Sequence, residues 1–546
     1  MPTRHGRIHQ INMVIYRWVR PHIDSFMAYQ QPKVWALAII AGIAGGLVGI
    51  GFRSLIGFFQ YLWAGTTSER YLDIIASLPW WVVIVAPTFG GFLVGTILYF
   101  TRPFGRSGGV ADVIEARTRA TSQLNIKNAT IGTIISAITL GFGGSAGREG
   151  PVVFYAAAVS KALFKFFELP PSARRTMLAC GVAAAISASF NAPIAGVLFA
   201  HEVILAHFAM SAFVPLVISA VTAAVISRLW FGDFPAFLVP DFSIISYLEM
   251  PAFALLGIVC AIVAILFQTS LIGSDWVSRH IKMPIFFRPI MGGFLVGLIA
   301  LVFPQVLGVG YEATDAAISG SFGISLMLAL IIAKTIATSI TISSRMGGGI
   351  FSPALYLGAM TGGAFGLIAA SLFPDLASSQ GLYAIIGMGA VAAAVLGAPI
   401  STVVMIFELT GGFAFSIALL LAVSISTGLT QLAMGRSFFY WQLFTRGIML
   451  EEGPHQHFAR QTRVRDLMVN FKEDDEVPEF DITSSKAWLR PADTLEAALR
   501  SFDSTHEARL IVLKGHKHKA IGWLYHVDAL SNYNKALVEQ SKEEHL

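Results

Sequence analysis

Residues 141–151 read Gly141-Phe142-Gly143-Gly144-Ser145-Ala146-Gly147-Arg148-Glu149-Gly150-Pro151, between apolar runs at 131–140 and 152–163. Glycine-rich backbone at membrane depth is costly unless it lines a cavity or is buried in protein. An arginine and a glutamate inside an apolar segment add to that cost, and such charges mark function. A glycine run that opens a helix leaves free N–H groups and the positive end of the helix dipole facing outward, which is an anion site. Glu149 is then a tethered anion able to occupy that site itself.

The elements needed to position this stretch are membrane helices. The chain has 546 residues, of which 55% are hydrophobic and 13% charged. Its mean hydropathy is +0.66. Apolar runs long enough to cross a bilayer recur from about residue 34 to 432, which excludes a soluble core and predicts a polytopic membrane protein. The runs fall at 34–62, 79–100, 152–166, 176–200, 210–229, 250–272, 287–303, 324–342, 353–373, 382–410 and 412–433, with 304–312 as a loop. Cys180 and Cys260 both lie in apolar runs and read as packing residues, not a disulfide.

The net charge of +5 is too modest to imply nucleic-acid binding. Arg4, Arg7, Arg17, Arg20 and Lys33 face a lone Asp24, which predicts a cytoplasmic N-terminus. Residues 1–33 are expected to form an amphipathic helix on the membrane surface, with Ile11, Ile15 and Trp18 on its apolar face. No cleavable signal peptide is visible ahead of the first long apolar run.

The membrane part contains an internal repeat. Ile138-Thr139, Gly147 and Pro151 match Ile340-Thr341, Gly349 and Pro353 at an offset of 202. Gly181, Ala192-Pro193-Ile194, Val197 and Glu202 match Gly387, Ala398-Pro399-Ile400, Val403 and Glu408 at an offset of 206. The halves span about 34–229 and 250–433, and repeats with broken helices place a substrate site near the midplane between them.

Gly147–Pro151, GREGP after GxGGSxG, closely resembles the chloride-channel (CLC) family of anion channels and proton-coupled anion exchangers, in a bacterial member. The segment Gly349-Ile350-Phe351-Ser352-Pro353 matches that family's GxFxP motif. The resemblance implies an all-α, inverted-repeat bundle over 34–449 with antiparallel halves, and a homodimer with one pore per subunit in the inner (plasma) membrane. It implies a chloride pathway formed by amides at Arg148, Glu149, Gly150, Ile350 and Phe351, gated by Glu149. Helix-start amides hold a weakly hydrated anion loosely enough for it to leave. Burial and the amides act on the proton affinity of Glu149 in opposite directions.

Three positions depart from the family's pattern. At Gly105–Val113 the family usually carries GSGxPE, its serine touching the anion. Gly108 stands in the place of that serine, with Ser107 one residue earlier, Ala111 for proline, and amides at Gly108 and Gly109 as candidate substitutes. Phe439 stands where the family places a second hydroxyl, with Tyr440 beside it. Val203 stands where many exchangers carry an inner proton-passing glutamate, and valine cannot carry a proton. His201 points about a hundred degrees away from Glu202 on a helix, so a relay between them is weak. Glu202 reads as a carboxylate capping backbone amides. Together, Val203, Gly108 and Phe439 favour passive chloride conduction, with proton-coupled chloride/H+ antiport as the alternative. The residues at 107–110 differ from those of fluoride-specific relatives, which favours chloride.

An enzyme reading fails. His201-Glu202 and His207 tempt a zinc-protease assignment, but HExxH needs histidines four apart and these are six apart. A cation or amino-acid transporter would want unpaired acidic residues in the spans, and few are present. No cofactor or metal is expected in the membrane part.

After Gly447 the composition turns charged, with an acidic run at 472–476. Arg463–Met468 resembles the opening of a CBS domain, a nucleotide-sensing module often fused to CLC proteins. A helix is expected at 495–502 and strands at 508–513 and 520–525. About one CBS-like α/β unit fits in 450–546, implying a cytoplasmic C-terminus and an adenine nucleotide as a candidate ligand.

Overall fold

The computed structural model describes residues 30–101, 108–118, 124–233, 237, 244–435, 437–448, 459, 462–471, 488–514 and 519–545, with isolated positions between 16 and 27. Ile11, Ile15 and Trp18 of the expected surface helix, Ser107, and the acidic run at 472–476 lie outside the described residues. The chain divides into two compact units, Met1–Gln442 and Leu443–Leu546.

The first unit is helical. Its helices are α1 (Gln31–Ala64), α2 (Leu72–Ser77), α3 (Trp80–Phe100), α4 (Val110–Thr118), α5 (Ile126–Gly141), α6 (Glu149–Phe166), α7 (Pro171–Phe190), α8 (Pro193–Phe199) and α9 (Met210–Phe231). They continue with α10 (Met250–His280), α11 (Phe287–Val302), α12 (Tyr311–Ile318), α13 (Ile324–Ser343), α14 (Phe351–Leu372), α15 (Gln380–Leu396), α16 (Pro399–Thr410), α17 (Ser416–Met434) and α18 (Phe438–Phe444). Seven helical segments among the described residues are long and apolar enough to cross a membrane. Ile40, Leu47, Phe58, Ile262 and Leu266 stand exposed on α1 and α10, as a lipid-facing surface requires.

Two runs expected to be continuous are broken. The run at 176–200 ends α7 at Asn191, in the left-handed conformation at φ 58°, and restarts at Pro193. The run at 382–410 ends α15 at Gly397, φ 67°, and restarts at Pro399. In both, a left-handed cap followed by proline stops one helix and pre-sets the next. Hydrophobicity alone hides such breaks because the flanking residues remain apolar. The stretch at 304–312, read as a loop, holds a 3₁₀ turn at Pro304–Val306 and the start of α12.

The repeat is a pseudo-two-fold, visible in reciprocal contacts. Gly147 and Gly349 form an antiparallel bridge, each amide donating to the other's carbonyl at 2.7 and 2.6 Å. The Ser145 amide donates to the Thr341 hydroxyl at 3.2 Å, and the Gly347 amide to the Thr139 hydroxyl at 3.1 Å. A Cβ on Gly91 of α3 would strike the Pro289 carbonyl of α11, and one on Gly293 of α11 would strike the Pro87 carbonyl of α3. Contacts in which i meets j′ and j meets i′ are the mark of two-fold symmetry. Small residues let these backbones approach closely. At the centre, α15 is buried on every side from Gly381 to Leu396, as a helix apolar all round must be. Cys180 and Cys260 are both buried and free.

The second unit is a four-stranded sheet with helices. Strands β1 (Val469–Asn470), β2 (Trp488–Leu489), β3 (Arg509–Lys514) and β4 (Lys519–Tyr525) take the order β1-β4-β3-β2. β2 and β3 are parallel, connected through α20 (Leu495–Thr505), and β3 and β4 are antiparallel. A short helix α19 (Val464–Leu467) precedes them and α21 (His526–His545) follows. Thr494 caps α20 by accepting the Ala497 amide at 3.1 Å. Val464, Leu495, Phe502, Val512 and Leu524 form the core.

Candidate functional site

The Gly147–Gly349 bridge holds the starts of α6 and α14 side by side. Neither start has a side-chain cap, so the first amides of each helix are left for another acceptor. Pro151 and Pro353, third in each helix, donate nothing and are pre-set for the helical turn.

Glu149 turns its carboxylate into this junction and is 2% exposed. Its Oε1 accepts a hydrogen bond from the Ser352 hydroxyl, and the backbone amides of Glu149 and Ser352 face the same carboxylate. Its Oε2 is buried without a hydrogen-bond partner among the described residues. That oxygen lies against Gly147 and Gly349, where a Cβ on Gly147 would collide with it and one on Gly349 would crowd it. The junction is therefore a slot shaped for a small anion, filled by a tethered one.

Arg148 faces elsewhere. Its Nη1 donates to Glu69 at 2.6 Å and its Nη2 to the Ser189 carbonyl at 2.7 Å. The guanidinium stacks over Tyr311 at 4.8 Å, and Arg53 flanks Glu69 at 3.1 Å. The side chain of Arg148 thus belongs to an ion-pair cluster, and only its backbone remains near the slot.

The other expected residues are placed as follows. Gly150, Ile350 and Phe351 are buried beside the slot, and the Phe351 ring packs on Phe190 at 4.9 Å. The Gly109 amide donates to Asp112 at 2.9 Å, so it is committed to starting α4 and is not available as an anion donor. A Cβ on Gly108 would enter the ring of Phe154. Phe439 is buried on α18, with Tyr440 half-buried next to it.

Val203 lies in a π-helical turn, Ala200–Leu205, that continues α8. Such turns mark functional sites more often than ordinary helix does. His201 in that turn is buried; its Nδ1–H donates to the His207 carbonyl at 3.0 Å, and its ring stacks on Phe208. Among the described residues no group of three His, Cys, Asp or Glu side chains could hold a metal.

Glu202 and Glu408 each accept two amides across the repeats. Glu202 takes those of Ile400 and Ser401 at 3.0 and 2.8 Å, and Glu408 those of Ile194 and Ala195 at 3.0 and 2.7 Å. The capping role read for Glu202 is the one its geometry has.

Sequence reasoning missed four residues. Lys334 of α13 is fully buried and donates to the carbonyls of Val306 and Gly308, both at 2.9 Å, with its ammonium 5.1 Å from the Tyr356 ring. A lone lysine within the apolar run at 324–342 is itself a signal. Ser352 occupies the second variable position of the GxFxP motif, where the motif itself asks for no particular side chain. Glu69 and Tyr311 lie between the long apolar runs, and nothing local marks them as neighbours of Arg148. A cavity of about 30 Å³, lined by Gln60, Glu69, Tyr71, Gln305, Tyr311 and Glu312, adjoins this cluster. Such a volume holds a water. Burial, with the charges of Glu312 and Glu69, pushes the Tyr71 phenol up.

The fold and this site define a membrane transport protein built from two interlocked repeats. The family model described as voltage gated chloride channel matches residues 89–431, and the chain belongs to that family. A ClcB-like relative from Ralstonia nicotianae is 30% identical over 415 residues, 75% of this chain and 96% of its own length. The H(+)/Cl(-) exchange transporter ClcA of Cronobacter sakazakii is 28% identical over 430 residues, 77% of this chain and 91% of its own. Among solved structures, a slow cyanobacterial Cl-/H+ antiporter superposes with a TM-score of 0.69 at 22% identity, covering 76% of this chain and 98% of that one.

Proposed function

We propose that this protein carries chloride across the membrane in exchange for protons, with Glu149 as the gate. The observation that carries the reading is the Glu149 carboxylate buried in the slot between α6 and α14, one oxygen hydrogen-bonded and the other bare. A carboxylate that leaves such a slot must be replaced by another anion or neutralised by a proton, because an unpaired buried charge is costly. Alternation between those two replacements links anion movement to proton movement. The relative named as an H(+)/Cl(-) exchange transporter supports the same reading.

Passive conduction, which Val203, Gly108 and Phe439 favoured in the sequence, is the second reading. Val203 is its support: the side chain on the π-helical turn carries no proton. The deciding experiment uses purified protein in liposomes with a chloride gradient, clamped potential and no proton gradient. Uphill proton movement driven by chloride supports exchange; chloride flux with flat internal pH supports conduction.

The protein acts as a homodimer in a bacterial plasma membrane, with both termini cytoplasmic. The second unit is one CBS-like module: β2-α20-β3-β4-α21 is the order such a unit requires. An adenine nucleotide is its ligand in this reading, and failure of ATP or AMP to raise the melting temperature of the full chain overturns that part.

A further inference from the structure

We propose that the Ser352 hydroxyl is a ligand of the transported anion itself, as well as the latch that holds Glu149 in the slot. This rests on the anion-transport reading above and adds the side chain that receives the anion.

The argument begins from what the slot offers. Of the residues placed beside it, Gly147, Gly150, Gly349, Ile350 and Phe351 have no side-chain donor. The Arg148 guanidinium is directed to Glu69 and Ser189. Gly108 has no room for a side chain against Phe154. Ser352 is the exception: it is 4% exposed, second in α14, and donates its hydroxyl hydrogen to a carboxylate.

A hydroxyl that donates to a buried carboxylate is already an anion-binding group. When Glu149 leaves, the hydroxyl stays, because Ser352 is fixed on a helix start whose backbone is tied to Gly147 through the Gly349 bridge. Its donor then turns to the Tyr311 hydroxyl, which lies within its reach, or to the incoming anion. The bare Oε2, lodged where glycines 147 and 349 make space, marks the position that an anion takes when the carboxylate is displaced. Hydrogen bonds to charged acceptors are stronger than neutral ones, so the hydroxyl contributes measurably to affinity.

The same donor makes the latch. Every chloride that enters must compete with Glu149 for the Ser352 hydrogen, so one hydroxyl couples occupancy to the position of the gate. A residue acting only as a latch would alter gating without touching the affinity of the open slot.

The test separates these roles with Glu149 removed. Chloride binding to the purified full chain is measured by isothermal titration for Glu149→Ala, Glu149→Ala/Ser352→Ala and Glu149→Ala/Ser352→Thr, with melting temperature as the folding control. The expected result is a roughly tenfold weaker chloride affinity on loss of the hydroxyl, recovered with threonine. Equal affinity in the three folded proteins overturns the proposal and leaves Ser352 a latch alone. Unfolding of the alanine variant moves the comparison to the threonine and cysteine variants; there, cysteine binding as tightly as threonine overturns it. A folded Glu149→Ala protein that neither binds nor passes chloride overturns the transport reading instead.

Discussion

Glu202 and Glu408 cap each other's repeat: the carboxylate at the end of one half accepts the first free amides of a helix in the other half. A carboxylate on an uncapped helix start satisfies two orphan donors and complements the dipole. The exchange is symmetric, so each half supplies what the other lacks.

Removal of either carboxylate is expected to destabilise the membrane unit. Glu202→Ala leaves the Ile400 and Ser401 amides without their acceptor, at about 1–3 kcal/mol. Glu408→Ala should cost a similar amount through Ile194 and Ala195. Thermal unfolding in detergent, with flux normalised to folded protein, checks this. A Glu202→Ala protein of unchanged melting temperature but lost proton coupling would show a shuttle, not a cap.

Glu149→Gln should abolish proton movement while chloride still passes. Glutamine keeps the shape of the side chain but cannot take up and release the proton. Its chloride flux should also lose dependence on pH, since the side chain at position 149 no longer has two charge states. Liposome flux measured between acidic and neutral pH gives the answer, and retained proton coupling would transfer the role away from Glu149.

Restoring a serine at position 108 should fail. Its Cβ has to enter the space held by the Phe154 ring, and overpacking of that kind costs about 1–3 kcal/mol. Gly108→Ser should therefore lower the melting temperature and the folded yield. Gly108→Ser/Phe154→Leu, which frees the space, should recover much of both. If the single variant is as stable as the parent, the ring is not what excludes the side chain.

Lys334→Met should be among the most damaging single changes in the membrane unit. It leaves the Val306 and Gly308 carbonyls without donors in a fully buried setting, a loss on the order of 3 kcal/mol. Lys334→Arg tests whether a charge suffices, and should recover little, because the guanidinium is larger than the space beside Tyr356 and Gly310. Melting temperature and folded yield are the readouts.

Much of this protein was settled by its sequence. Hydrophobicity repeated over 34–432 dictates a membrane bundle because only helices satisfy their own backbone in lipid. The glycine–proline frames around 147–151 and 349–353 dictate two interrupted helices with exposed starts, since glycine admits close approach and proline pre-sets the first turn. The 202-residue offset announces two related halves. In the second unit the helix and strands lie within a few residues of where the sequence puts them, the strands as short apolar runs and the helix between them.

Tertiary structure decided the rest, wherever a side chain's partner lies far along the chain. Arg148 is next to Glu149 in sequence yet pairs with Glu69, because the first turn of α6 points successive side chains in different directions. Ser352 meets Glu149 across 203 residues only because the two helix starts are bridged. Gly108 is small because of Phe154, and no local pattern carries that requirement. Spacing along a chain fixes which way a helix presents its residues; which anion, carboxylate or ring stands opposite is fixed by packing alone.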